Sequence, residues 1–169
     1  MFTLVPDFIF DTFDKVTVDF LIQHNIRAVV LDIDNTLEPY EHALPGEHVK
    51  KWLADLKSAG ISAAFVSNNN KERVELFNKD LGLVAFYKAG KPFKKNVLRA
   101  IKMMGSDNKS TLLIGDQVFT DVWAARNAGV ISVLVPPIND KKDPFTKFKR
   151  VLEKPIINRY NKKRGDRNA

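Results

Sequence analysis

An α/β domain with a mostly parallel sheet is the fold class this sequence predicts, and three observations predict it. Short apolar, β-branched runs recur along the chain, helix-period segments separate them, and polar residues of chemical interest follow directly on several of the runs. The runs are continuously apolar rather than alternating, as expected for strands covered by helices on both faces.

In chain order, residues 1–26 read as a helical lead-in. Strands are expected at 28–33 (AVVLDI), 62–67 (SAAFVS), 84–87, 111–114 (TLLI) and 131–135 (ISVLV). A helix over 47–59 sets Val49, Trp52, Leu53 and Leu56 on one face and is closed by Gly60. Helices over 71–81, 93–104 and 120–128 each end near a glycine. Trp52 and Trp123 fall on these helices and read as packing residues. Pro136 and Pro137 stop the last strand, so residues 1–138 are expected to form one domain and 139–169 a basic tail.

With 169 residues, 44% of them hydrophobic, the chain has enough apolar material for one core. It has no cysteine, which excludes a disulfide framework and a thiolate metal site and suits a reducing compartment. His24, His42 and His48 show no ligand spacing. No apolar run approaches the roughly 18–20 residues that cross a bilayer. The first ten residues carry Pro6 and Asp7, without a basic flank or a small-residue cleavage site, so a cytoplasmic location is expected. The net charge of +7 is uneven: residues 141–169 hold 11 Lys and Arg against 3 Asp and Glu, a net of +8, which leaves −1 for residues 1–140.

Ligands in open α/β sheets gather beyond the carboxyl ends of the strands. The first long strand runs into Asp32, Ile33, Asp34, Asn35 and Thr36, the second into Ser67, Asn68, Asn69 and Asn70, and the fourth into Gly115, Asp116 and Gln117, while Lys91 opens the helix after the third. Asp32 and Asp34 are two residues apart, which on a strand puts both carboxylates on one side. With Asp116 beside them, three partly buried acids repel one another unless a proton or a hard cation joins them. Oxygen ligands without His or Cys point to Mg2+. A carboxylate facing such a metal can attack phosphorus, and a second can protonate the leaving oxygen and then deprotonate water. Lys91 and the Ser67 hydroxyl are suited to hold phosphoryl oxygens. The three asparagines suit the cap of the following helix, and Asn68 is also a candidate phosphate contact.

Taken together, DIDNT at 32–36, Ser67, Lys91 and GDQVFTD at 115–121 resemble the four motifs of the haloacid dehalogenase superfamily. VSNNN at 66–70, KAGKP at 88–92, GDQVFTDV at 115–122 and the basic tail are similar to the YqeG-like phosphatases of its type IIIA subgroup. The resemblance implies a three-layer Rossmann-like fold. It makes Asp32 the nucleophile and Asp34 the general acid/base, with Asp32, Asp116 and the Asp34 carbonyl on Mg2+ and Asp121 supporting that metal. It also makes Ser67 and Lys91 the phosphate-binding pair and Thr36 the residue that steadies the first loop. Gly90 departs from the pattern, where a basic residue is expected. The intervals 36–67 and 67–91 are each filled by one helix and one strand, so no cap domain is expected.

Relatives of the family that dephosphorylate phosphatidylglycerophosphate make a lipid headgroup a candidate substrate, beside soluble nucleotide or sugar phosphates. In the tail, Phe145, Phe148 and Leu152 recur at helical spacing among Lys147, Lys149 and Arg150. That stripe fits docking on the protein's own body or peripheral contact with an anionic membrane. Deletion of 141–169 is expected to spare turnover of a small soluble ester. A two-component receiver would carry its phospho-acceptor after the third strand, where this chain has Phe86, Tyr87 and Lys88. A ribosome- or RNA-binding role would rest on the tail alone, since no RNA-binding motif accompanies it.

Overall fold

A computed structural model of the chain describes residues 3–139 and 144–167, with side chains over 3–139 and 150–164. Six strands form one sheet: β1 (Phe8–Ile9), β2 (Ala28–Leu31), β3 (Ser62–Val66), β4 (Val84–Phe86), β5 (Thr111–Gly115) and β6 (Ile131–Leu134). Their spatial order is β1-β6-β5-β2-β3-β4, and every neighbouring pair is parallel. The helices are α1 (Val18–Gln23), α2 (Glu47–Ser58), α3 (Lys71–Asn78), α4 (Lys95–Met103), α5 (Trp123–Ala128) and α6 (Pro144–Arg167).

Alternation along the strands makes the layers. Val29 and Leu31 of β2, Phe65 of β3 and Leu112 and Ile114 of β5 face a core closed by Leu21 of α1, Trp52 and Leu56 of α2 and Val74 and Phe77 of α3. Val30, Ala64, Val66 and Leu113 face the other side, against Val97 and Ile101 of α4 and Ala124 and Ala128 of α5. Successive residues of a strand point to opposite faces, so one apolar run serves both cores. At about 1.5–3 kcal/mol for each large apolar side chain removed from water, these two cores are the main support of the sheet. The result is the Rossmann-like three-layer fold, with no cap domain among the described residues.

Two differences from the sequence reading have local causes. Among the described residues of the lead-in over 1–26, helix is confined to a 3-10 turn at Phe13–Lys15 and to α1, and the earlier part adds the edge strand β1. The Asp7 carboxylate accepts from Ser132 N and Ser132 Oγ, both at 2.8 Å, which draws this segment alongside β6. Phe8 and Phe10 then set their rings edge-on to Phe20. The helix expected over 120–128 begins as a wider π-helical turn over Val118–Val122, where Val122 N reaches Gln117 O at 3.3 Å. Such turns are common at functional sites.

Segment 150–164 packs on the body of the protein. Ile156 and Ile157 join Leu4 and Ile9 against Val118, Val122 and Leu134, Glu153 is buried, and the Tyr160 hydroxyl accepts from Ile9 N at 3.2 Å. Leu152 faces solvent, and Phe145 and Phe148 lie outside the described side chains. Pairing of α6 with the body reverses the expectation for truncation, because deletion of 141–169 would uncover buried apolar surface.

Candidate active site

Chain connectivity reverses at β2: the next strand lies on one side of it, and β5 and β6 on the other. Crevices at such a switch point are the usual ligand sites of open α/β sheets. Register brings the chemistry there, since Leu31 pairs with Ile114 and Asp32 N donates to Ile114 O at 3.0 Å, setting Asp32 next to Gly115 and Asp116. Gly115 is required: a Cβ at that position would lie 2.1 Å from Asp121 Cγ.

Asp32, Asp116 and Asp121 are all buried, and each offers a carboxylate oxygen within 4.8 Å of the others. Lys91, also buried, donates to Asp32 Oδ1 at 2.8 Å and to Asp121 Oδ1 at 2.6 Å. Burial pushes the lysine pKa down, but Asp121 and Asp32 more than offset it and hold the ammonium above its usual value. Burial first, and then repulsion from Asp32 and Asp121, raises Asp116 to about 7 against the opposing pull of Arg150. Asp121 is likewise raised, by burial and by Asp32, with Lys91 opposing. The Thr36 hydroxyl lies between Asp116 Oδ1 at 3.3 Å and Asp32 Oδ2 at 3.4 Å, steadying the first loop.

Asp34 is set apart from this cluster. Arg73 Nε donates to its Oδ1 at 3.0 Å and Asn69 Nδ2 to its Oδ2 at 2.8 Å, while Arg73 Nη1 holds the Ala43 carbonyl at 2.9 Å. Ser67 is buried, and its Oγ accepts from Asn69 N at 3.1 Å, a role that leaves the hydroxyl proton to donate elsewhere. Asn68 grips the backbone of Lys91, accepting from its N–H at 2.8 Å and donating to its carbonyl at 3.0 Å. Its amide therefore positions Lys91. Asn70 is the helix cap, accepting from Arg73 N at 2.9 Å. Gly90 takes φ +71°, a left-handed turn that a basic side chain would strain.

Sequence reasoning missed Asn69, Arg73 and Arg150. Arg150 Nη2 donates to Asp116 Oδ2 and its Nη1 to the Asp116 carbonyl. Only the position of Asn69 in the VSNNN run hinted at a role; Arg73 looks like an ordinary helix charge and Arg150 like one of many tail cations. His42 and His48 both turn to the buried Glu38, at 3.0 and 3.5 Å, and Glu38 also accepts from Gly46 N at 2.7 Å, which anchors the 38–46 loop. A cleft of about 810 Å³ lined by Phe8, Phe10, Lys15, Tyr160 and Lys163 contains none of the carboxylate cluster.

The profile of the haloacid dehalogenase-like hydrolases matches residues 39–129, which include Ser67, Lys91, Asp116 and Asp121 and begin after Asp34. The chain is 33% identical over 162 residues to the probable phosphatase YqeG of Bacillus subtilis, covering 96% of this chain and 94% of that one. It is 24% identical to the glyceraldehyde 3-phosphate phosphatase of Pyrococcus abyssi over 64% of this chain, and spans 48% of that protein's length. Among solved structures, the cobalt-bound deoxy-D-mannose-octulosonate 8-phosphate phosphatase of Haemophilus influenzae superposes with a TM-score of 0.53 at 20% identity, over 81% of this chain and 92% of that one.

Proposed function

Because this chain belongs to the haloacid dehalogenase-like hydrolases and is a phosphatase of that family, we propose that it is a Mg2+-dependent phosphate monoesterase acting through a phospho-aspartate on Asp32. The observation that carries this reading is the buried group of Asp32, Asp116 and Asp121 around Lys91. Three buried acids face only Lys91 and Arg150 among the described residues, which leaves negative charge that a small divalent cation would neutralise; burial first, and then repulsion from Asp32 and Asp121, raises Asp116 in its absence. The donors are all oxygen, as Mg2+ prefers. Asp32, Asp116 and the Asp34 carbonyl would hold the ion, with Asp121 behind them, and the ion would supply positive charge to the phosphoryl oxygens.

The residues of the chain divide the remaining work. An Asp32 carboxylate oxygen attacks phosphorus and the ester oxygen departs, taking a proton from Asp34. Asp34 then removes a proton from water, which attacks phosphorus, breaks the Asp32–phosphoryl bond and releases inorganic phosphate. Arg73 and Asn69 aim the Asp34 carboxylate through both its oxygens. The Lys91 ammonium and the Ser67 hydroxyl neutralise and orient the transferring group; loss of one such donor typically costs about 10²–10³-fold in kcat.

The substrate we favour is a lipid phosphate monoester of the phosphatidylglycerophosphate kind, met at a membrane surface from the cytoplasmic side. No cap covers the site among the described residues, and loops at this end of the sheet expose Tyr40, Leu44 and Phe93, the last 75% accessible and followed by exposed Lys94 and Lys95. Apolar side chains with adjacent cations suit an anionic interface. No helix among the described residues is long and apolar enough to cross a membrane, so contact would be peripheral.

The test is phosphate release, with and without Mg2+, from phosphatidylglycerophosphate in anionic micelles and from a panel of soluble monoesters, with Asp32→Asn as the blank. Preference for the lipid supports the full reading. Preference for a soluble sugar or nucleotide phosphate keeps the mechanism and removes the lipid. Full activity in Asp32→Asn would overturn the mechanism.

A further inference from the structure

We propose that Arg150, on the C-terminal helix α6, is a positioning residue for Asp116, so that a metal centre built on the sheet is completed by the last helix of the chain. The proposal rests on the reading above, in which Asp116 is a metal ligand.

The loop after β4 supplies Lys91 to two of the three acids, Asp32 and Asp121. Asp116 receives its cation from α6. The Arg150 guanidinium donates to both the carboxylate and the backbone carbonyl of Asp116, so it fixes the side-chain torsion against that residue's own main chain. This directs Asp116 Oδ2 towards α6 and leaves Oδ1 on the Thr36 side, which it shares with Asp32. A planar fork can span two acceptors in this way, whereas a lysine ammonium acts as a point charge.

Arg150 is itself held in place. Its Nη1 lies 3.2 Å from Glu153 Oε2, and Glu153 Oε1 accepts from Val118 N at 2.7 Å. One turn of α6 therefore grips the loop after β5 at Asp116 and again at Val118. Both Arg150 and Glu153 are largely withdrawn from solvent, with side chains 16% and 3% exposed, which separates them from the solvated cations of the tail. Ile156 and Ile157 press the same helix onto Val118, Val122 and Leu134.

The test titrates Mg2+ into substrate-free full-length protein by calorimetry and by the Mg2+-induced rise in Tm, comparing wild type with Arg150→Gln, Arg150→Lys and Ile157→Ala. Partners that orient metal ligands typically contribute about 10–100-fold in affinity, and a loss in that range is expected for Arg150→Gln, with activity largely restored at saturating Mg2+. Arg150→Lys should recover part of the loss. Ile157→Ala, which loosens α6 without touching Asp116, should lower Tm while changing Mg2+ affinity by less than about threefold, well short of an outer-sphere loss. A folded Arg150→Gln with wild-type Mg2+ affinity would overturn the proposal, and so would an equal loss in Ile157→Ala. If Arg150→Gln does not fold, wild-type affinity in Arg150→Lys overturns it. Wild-type protein that ignores Mg2+ would remove the metal reading of the site itself, a different failure from an unchanged Arg150 variant.

Discussion

Replacing Lys91 with methionine removes one buried positive charge while keeping most of the side-chain volume. In the native protein that ammonium is 2.8 Å from Asp32 and 2.6 Å from Asp121, with its side chain 2% exposed. Breaking a buried ion pair by deleting one partner costs about 3–5 kcal/mol, because the other charge stays behind without compensation. Here two carboxylates are left beside Asp116, but the costs do not simply double: the cluster relieves itself by binding a proton. The folded variant then holds protons that the unfolded chain releases near the ordinary aspartate value, so its stability falls as pH rises. The expected loss is about 3–5 kcal/mol at pH 8 in chelator, clearly smaller at pH 5, out of a typical total of about 5–15 kcal/mol. Urea unfolding of wild type and Lys91→Met at both pH values, with chelator and with Mg2+, reads the effect directly. Turnover should drop by at least about 10²-fold, as when a transition-state donor is lost. An unfolding free energy within about 1 kcal/mol of wild type at pH 8 would refute the reasoning, since no buried pair of this kind should be so dispensable.

The metal-free wild type should itself lose stability as pH rises from about 4 towards 7, because Asp116 titrates near 7 when folded and near 3.8 when unfolded; thermal melts in chelator would show it, and a flat profile would contradict the clustered acids. Saturating Mg2+ should flatten that decline by binding the ionised form. Gly115→Ala should lower Tm by several degrees or abolish folding, since its Cβ would meet the buried Asp121 at 2.1 Å and overpacking of this kind costs about 1–3 kcal/mol or more; an unchanged Tm would count against the packing described. Truncation after Asn139 should yield aggregated protein or protein with a much weakened Mg2+ response, assayed by size-exclusion chromatography and Mg2+ titration, because it removes Arg150, Glu153, Ile156 and Ile157 together. A monomeric, fully Mg2+-responsive truncation would show that α6 is dispensable.

The sheet was legible because its signal is local. Five of the six strands are apolar runs in the sequence, and the missed one, β1, is two residues long and owes its place to Asp7 meeting Ser132, a contact across 125 positions. Helices α2 to α4 announced themselves by helical period and a closing glycine. The start of α5 did not, because a π-helical turn depends on where Gln117 O and Asp121 are held by the surrounding site. Among the site residues, Asp32, Asp116 and Lys91 stand where their positions after strands implied they would. Asn68, a candidate phosphate contact in the sequence, also holds the Lys91 backbone through both ends of its amide, a contact only the fold of the 88–92 loop could set.

What the sequence by itself determined is the set of groups and the end of the sheet at which they gather. Strand periodicity and the polar residues that follow each strand are properties of short segments, so they survive without tertiary information. What only the tertiary structure decided is how each charge is partnered. Arg73 and Arg150 look no different in the sequence from the solvated cations around them, yet one is turned onto Asp34 and the other onto Asp116 across 39 and 34 positions of chain. A buried carboxylate needs a partner wherever the fold can bring one, and the composition of a segment does not say which distant helix will supply it.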